Sequence, residues 1–199
     1  MRFYDPNDSI SNLAGNLPHW RQDGVTYFVT FRTIDSIPQS KLREWRREHD
    51  AWIAHNPEPH SADLRRTYNR LFTERLHEWL DAGYGKCVLR EASLRRIVEE
   101  ALQYFDGKRY QLDEYVVVPN HVHAIVTPLG SHELSSVLHS WKSYTATQIN
   151  RRLRVSGKFW QQESFDHIVR SPGQLERIRA YIRDHREFER ERAWKARLP

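Results

Sequence analysis

The segment Val116-Val117-Val118-Pro119-Asn120-His121-Val122-His123-Ala124-Ile125-Val126 constrains the fold more than any other stretch of the chain. β-Branched residues run up to Pro119-Asn120 and an apolar run follows, so each half reads as a strand. Pro and Asn together signal a turn, which joins the halves as an antiparallel hairpin. Side chains alternate along a strand, so His121 and His123 share one face while Val122 points to the other. Two imidazoles on one face, beside a tight turn, are half of a metal site.

The rest of the chain supplies elements for this hairpin to pair and pack with. Residues 1–23 are polar and turn-rich and read as an ordered arm ending in Leu17-Pro18-His19-Trp20. Val25 to Thr33 is β-branched and aromatic without clean alternation, as expected of a central strand covered on both faces. Helices are expected from about Ser40 to His55, stopped by Pro57 and Pro59, and from an N-cap at Ser61 to Gly83 and Gly85. A third helix spans about Ala92 to Phe105, and a strand from Arg109 to Val118 leads into the hairpin. After Pro128-Leu129-Gly130 a long helix runs from a cap at Ser131 or His132 to about Arg154. Phe165 to Arg170 reads as a last strand. Pro172 opens a final helix through Leu175, Ile178, Tyr181 and Ile182, and the charged tail 186–199 is expected to fray.

With the helical stretch 38–85 set aside, the order is strand, helix, strand, strand, helix, strand. That order predicts an α+β fold of the ferredoxin-like split βαβ type, with a mainly antiparallel four-stranded sheet and helices on one face. A single domain over residues 1–199 is expected. The formal charge of +5 and pI near 9.4 favour a polyanionic partner such as nucleic acid. The one cysteine, Cys87, excludes an intramolecular disulfide. No apolar run is long enough to span a membrane and the N-terminus lacks a secretory h-region, so a cytoplasmic location is expected.

The other half of the metal site is sought on the helix that follows the hairpin. Tyr144 and Gln148 stand one helical turn apart, at the edge of the apolar stripe that includes Val137 and Trp141. A buried amide needs partners, and an amide oxygen is a hard neutral ligand. His121, His123 and Gln148 are therefore expected to hold a divalent cation, with the Tyr144 phenol beside it. Such a set suits nucleophilic attack on a phosphodiester, which exchanges one phosphoester for another through a phosphotyrosine and needs no nucleotide cofactor. Lys142, Arg151, Arg152, Arg154, Lys158 and Arg170 are candidates to contact DNA phosphates, and Trp160 or Phe159 to stack on an unpaired base.

His121-Val122-His123 after Pro119-Asn120, with Tyr144-x-x-x-Gln148 and the segments Gly157-Lys158-Phe159-Trp160-Gln161 and Phe165-Asp166-His167-Ile168-Val169-Arg170, resembles the HUH endonuclease superfamily. Within it the chain is most similar to the single-tyrosine transposases, in particular the REP-associated tyrosine transposases. The resemblance implies Mg²⁺ or Mn²⁺ held by His121, His123 and a polar third ligand, carried over to Gln148, with Tyr144 as nucleophile. It implies nicking of single-stranded DNA near a hairpin, leaving a 5′-phosphotyrosine and a free 3′-hydroxyl, by a monomer or a homodimer. The alternatives are a hairpin or single-stranded DNA-binding protein that has kept the fold without cutting, and a metal hydrolase using a bound water. Two departures stand out: the helical stretch 38–82 is longer than the family's usual connection, and the charged tail follows no family pattern.

Overall fold

The computed structural model describes residues 1–8, 11–13, 19–57 and 61–195. Leu17 and Pro18 of the expected arm, Pro59, and the end of the tail lie outside the described residues. The chain divides into two compact units, one of residues 1–33 with 88–199 and one of residues 34–87.

In chain order, the first unit opens with β1 (Ser11–Leu13), β2 (His19–Arg21) and β3 (Tyr27–Arg32). The second unit holds α1 (Gln39–His55), α2 (Ala62–Tyr68), a π-helical turn (Asn69–Glu74) and α3 (Arg75–Asp81). The chain then returns to the first unit with α4 (Ala92–Gln103), β4 (Tyr110–Val118), β5 (His121–Pro128), α5 (Leu134–Leu153), β6 (Phe165–Ile168) and α6 (Pro172–Lys195).

In the second unit the helix expected after Ser61 begins there, with the Leu64 amide donating to Ser61 Oγ at 3.2 Å. It is not one regular helix, because the π turn interrupts it at 69–74. The Phe72 carbonyl in that turn accepts the Trp45 indole N–H at 3.2 Å, while Trp45, His49, Tyr68 and Phe72 pack ring against ring. The interruption serves this aromatic core, and residue spacing alone does not show it.

In the first unit, β4, β5, β3 and β6 form one sheet in that order, and every pairing is antiparallel. This is the split βαβ order expected from the sequence. Paired residues share a face, so Phe31/Val122, Val29/Ala124 and Tyr27/Val126 project to one side of the sheet. Arg32/His121, Thr30/His123 and Phe28/Ile125 project to the other. The first side packs with Leu94, Val98 and Leu102 of α4 and with Val137, Trp141 and Ile149 of α5. Phe28, Val116, Val118 and Ile125 on the second side pack with Leu175, Ile178, Tyr181 and Ile182 of α6. Helices therefore cover both faces, not one as expected. Both faces of β3 and β5 are buried, which is why neither strand shows simple alternation.

A register shift between Leu112 and Tyr115 breaks the β4–β5 ladder and bends β4 at Asp113 and Glu114. These two carboxylates hold α6. Arg179 donates to Asp113 Oδ2 from Nε at 2.9 Å and from a terminal nitrogen at 2.6 Å. Arg186 donates to Glu114 Oε2 at 2.8 Å and to the Tyr115 carbonyl at 2.6 Å. With these anchors α6 continues to Lys195, past the point where the charged tail was expected to fray.

Candidate metal and nucleophile site

His121 and His123 are 1% and 0% exposed, on the sheet face that α6 covers. Their Nε2 atoms lie 2.9 Å apart. Their Nδ1 atoms are engaged elsewhere. His121 Nδ1–H donates to Asn120 Oδ1 at 2.8 Å, which leaves its Nε2 carrying the lone pair. His123 Nδ1 pairs with Thr30 Oγ1 at 2.7 Å, and a hydroxyl serves either tautomer. With Thr30 donating, His123 Nε2–H hydrogen-bonds to His121 Nε2; with Thr30 accepting, both Nε2 lone pairs converge, as two ligands of one cation would. Neighbouring nitrogen ligands of an octahedral ion, each about 2.1 Å from it, are themselves about 3 Å apart. The spacing of the pair fits a divalent cation. Asn120, which reads in sequence first as a turn residue, also fixes the His121 ring through its hydrogen bond.

α6 completes the surroundings of the pair. The Tyr181 hydroxyl lies 3.3 Å from His123 Nε2. One turn on, His185 directs Nδ1–H to the Tyr181 carbonyl at 3.1 Å, so its Nε2 also carries a lone pair. The His185 and His123 ring centroids are 5.5 Å apart. Phe28 stacks on His123 at 5.4 Å and meets Tyr181 edge-on at 6.2 Å, fixing both rings against the sheet. Sequence pattern alone does not single out Tyr181 and His185, because Tyr181 reads as one more apolar-stripe residue of the last helix. The one signal is a tyrosine with a histidine four residues on, the same spacing as Tyr144 and Gln148, and imidazole is a commoner metal ligand than an amide.

The structure does not bring Tyr144 and Gln148 to the histidines. Both lie on α5, whose buried residues pack on the opposite sheet face with Phe31, Val122 and Ala124. Tyr144 is 55% exposed and Gln148 half-buried. The periodicity that places them together on one helix face is sound, but it does not say which side of the sheet the helix covers.

The expected DNA contacts divide similarly. Trp160 is 5% exposed and cannot stack on a base. Its indole N–H donates to Thr145 Oγ1 at 2.8 Å, and Phe31 and Phe159 meet its ring edge-on at 4.8 and 4.7 Å. Arg151, Arg152, Arg154, Lys158 and Arg170 are exposed. Arg152 faces Glu91 at 3.9 Å, and the Arg170 guanidinium lies 5.6 Å from the centre of the Tyr4 ring. Lys142 donates from Nζ to the Gln162 carbonyl at 2.7 Å and to Ser164 Oγ at 3.3 Å. Burial first, then the Arg32 charge, lower its pKa from 10.5 to about 8, against a weaker opposing pull from Glu163. No helix among the described residues is long and apolar enough to cross a membrane.

Comparison with solved structures finds a REP-associated tyrosine transposase bound to a REP hairpin, at 16% identity and a TM-score of 0.42, covering 83% of this chain and 70% of that one. It also finds a proposed transposase from Deinococcus radiodurans R1, at 14% identity and a TM-score of 0.39, covering 82% of this chain and 92% of that one. No curated protein matches. The model of the IS200-like transposases matches residues 77–185, which is more than half of the 199 residues. That span includes His121, His123, Tyr181 and His185, and the chain belongs to the IS200-like transposase family.

Proposed function

We propose that the chain is a metal-dependent single-stranded DNA endonuclease and strand-transferase that nicks DNA near a hairpin. Tyr181 is its nucleophile, and His121, His123 and His185 hold its cation. The observation that carries this reading is the Tyr181 hydroxyl 3.3 Å from His123 Nε2, on the helix that also presents His185. Tyr144 and Gln148, expected from sequence in these roles, give way to Tyr181 and His185. All four groups come from one chain, so a monomer suffices to build the site.

The Tyr181 phenol oxygen bonds to phosphorus as the P–O3′ bond breaks. The phenolic proton is lost and the departing 3′ oxygen takes one up, leaving a 5′-phosphotyrosine and a 3′-hydroxyl. One phosphoester replaces another, so a 3′-hydroxyl attacking the phosphotyrosine reverses the step or joins a new strand. A bound divalent ion, Mg²⁺ or Mn²⁺, would offset charge on the phosphoryl oxygens. Asn120 and Thr30 orient the imidazoles, and the Asp113 and Glu114 anchors fix α6 and with it the phenol. Arg151, Arg152, Arg154 and Arg170 contribute phosphate contacts on the surface.

The test is incubation with an end-labelled hairpin oligonucleotide carrying a single-stranded flank, with Mn²⁺, followed by a denaturing gel. The parent and Tyr144→Phe form a protein-linked product, and Tyr181→Phe does not. A covalent product that survives Tyr181→Phe, or cleavage with no protein-linked product, refutes the assignment.

A further inference from the structure

We infer that the cleft between α5 and the segment 157–166 is an anion site for one backbone phosphate of the DNA strand, with Lys142 at its centre. The inference rests on the DNA-cleaving role and adds a second contact on the α5 side of the sheet, away from Tyr181. The cleft has a volume of about 580 Å³, and its charged lining is Arg21, Lys142, Lys158, Glu163 and Asp166, with His139 beside them. Its size suits a phosphate with part of its nucleotide, and its walls mix polar groups with the apolar side chains of Leu138, Ala146 and Phe159.

Lys142 marks the position of the anion. An ammonium has three N–H donors, and Lys142 gives two of them, to the Gln162 carbonyl and Ser164 Oγ. Both acceptors are neutral, and among the described residues no carboxylate forms an ion pair with it. The charges around it leave an excess of positive potential. Arg32 on β3 repels it, Glu163 attracts it weakly, and the Asp166 carboxylate is already held by Arg21. Lys158 and His139 stand exposed at the rim. A partly buried cation whose counter-charge is weak is costly, and an incoming phosphate relieves that cost. The lowered pKa of about 8 has the same origin. β6 is an edge strand of the sheet, and β2 lies beside it through the Arg21–Asp166 pair.

Binding is measured by fluorescence anisotropy with a labelled hairpin oligonucleotide bearing a single-stranded flank. The protein carries Tyr181→Phe, so that no covalent step intervenes. Lys142→Met is expected to weaken binding about tenfold and to reduce the slope of log K against log salt by about 0.7, the value for one single-strand phosphate contact. Lys142→Arg restores most of the affinity, and Lys142→Met melts no lower than its parent at neutral pH because it removes a weakly compensated charge. Unchanged affinity and salt slope in Lys142→Met overturn the inference, as does a loss explained by a fall in melting temperature. Inorganic phosphate that binds as tightly as the oligonucleotide in calorimetry, and only with Lys142 present, assigns the cleft to a free anion and overturns the DNA source. A covalent product from the parent with Lys142-independent binding sinks this inference alone. Lys142-dependent binding with no covalent product sinks the cleavage role alone.

Discussion

Asn120→Ala tests how the proposed metal site is built. The Asn120 side chain is buried, and its Oδ1 accepts the His121 Nδ1–H at 2.8 Å. Truncation leaves that donor without its acceptor and frees the imidazole to turn or to change tautomer. A buried polar group deprived of its partner costs about 1–3 kcal/mol, which corresponds to roughly a ten- to hundredfold loss of metal affinity, the range found for groups that orient metal-ligating histidines. The main chain is spared, because the Asn120 carbonyl keeps the Thr33 amide it already accepts at 2.9 Å. Isothermal titration with Mn²⁺ in the absence of DNA reads the effect directly. Asn120→Asp keeps the acceptor and adds charge, so its affinity is expected to equal or exceed that of the parent. Unchanged Mn²⁺ affinity in Asn120→Ala, or an equal loss in Asn120→Asp, refutes the claim that this side chain positions His121.

Two further predictions concern the elements around the site. The Asp113–Arg179 pair is a part-exposed, two-nitrogen contact, so a double-mutant cycle with Asp113→Ala and Arg179→Ala should give a coupling of about 1 kcal/mol, the upper end for a solvent-screened pair. A coupling near zero in denaturant unfolding would mean that the β4 bend does not hold α6. For Lys142, the folded pKa of about 8 lies below the ordinary 10.5, so between those values the unfolded chain binds more protons and stability rises with pH. The rise should approach about 3 kcal/mol at most, and Lys142→Met should remove it from urea midpoints measured between pH 7 and 10.5. A slope that persists in the variant shows that other groups cause it.

The hairpin and its histidines were legible in the sequence because strand alternation is a local rule. His-x-His puts both rings on one face wherever the strand is placed. The antiparallel sheet followed from element order, and β3 announced a two-sided position by its unbroken run of β-branched and aromatic residues. The side of the sheet each helix covers was not legible. Tyr144 and Tyr181 each head an i, i+4 pair with a polar residue, and periodicity treats them alike. What separates them is non-local: α5 is drawn to the face of Phe31 and Val122, while α6 is drawn to the face of Phe28 and Ile125. The anchors of α6 are hidden for a related reason. Asp113 and Glu114 look like ordinary strand charges until the register shift turns them toward Arg179 and Arg186. Trp160, read as a platform for a base, is held inside the core by Thr145 and Phe31, partners distant in sequence.

The central claim is the identity of the nucleophile. The most direct measurement is peptide mass spectrometry of the covalent product trapped with hairpin DNA and Mn²⁺, after digestion of both protein and DNA. A nucleotide remnant on the peptide containing Tyr181 is the predicted result, and a remnant on the peptide containing Tyr144 would contradict the account.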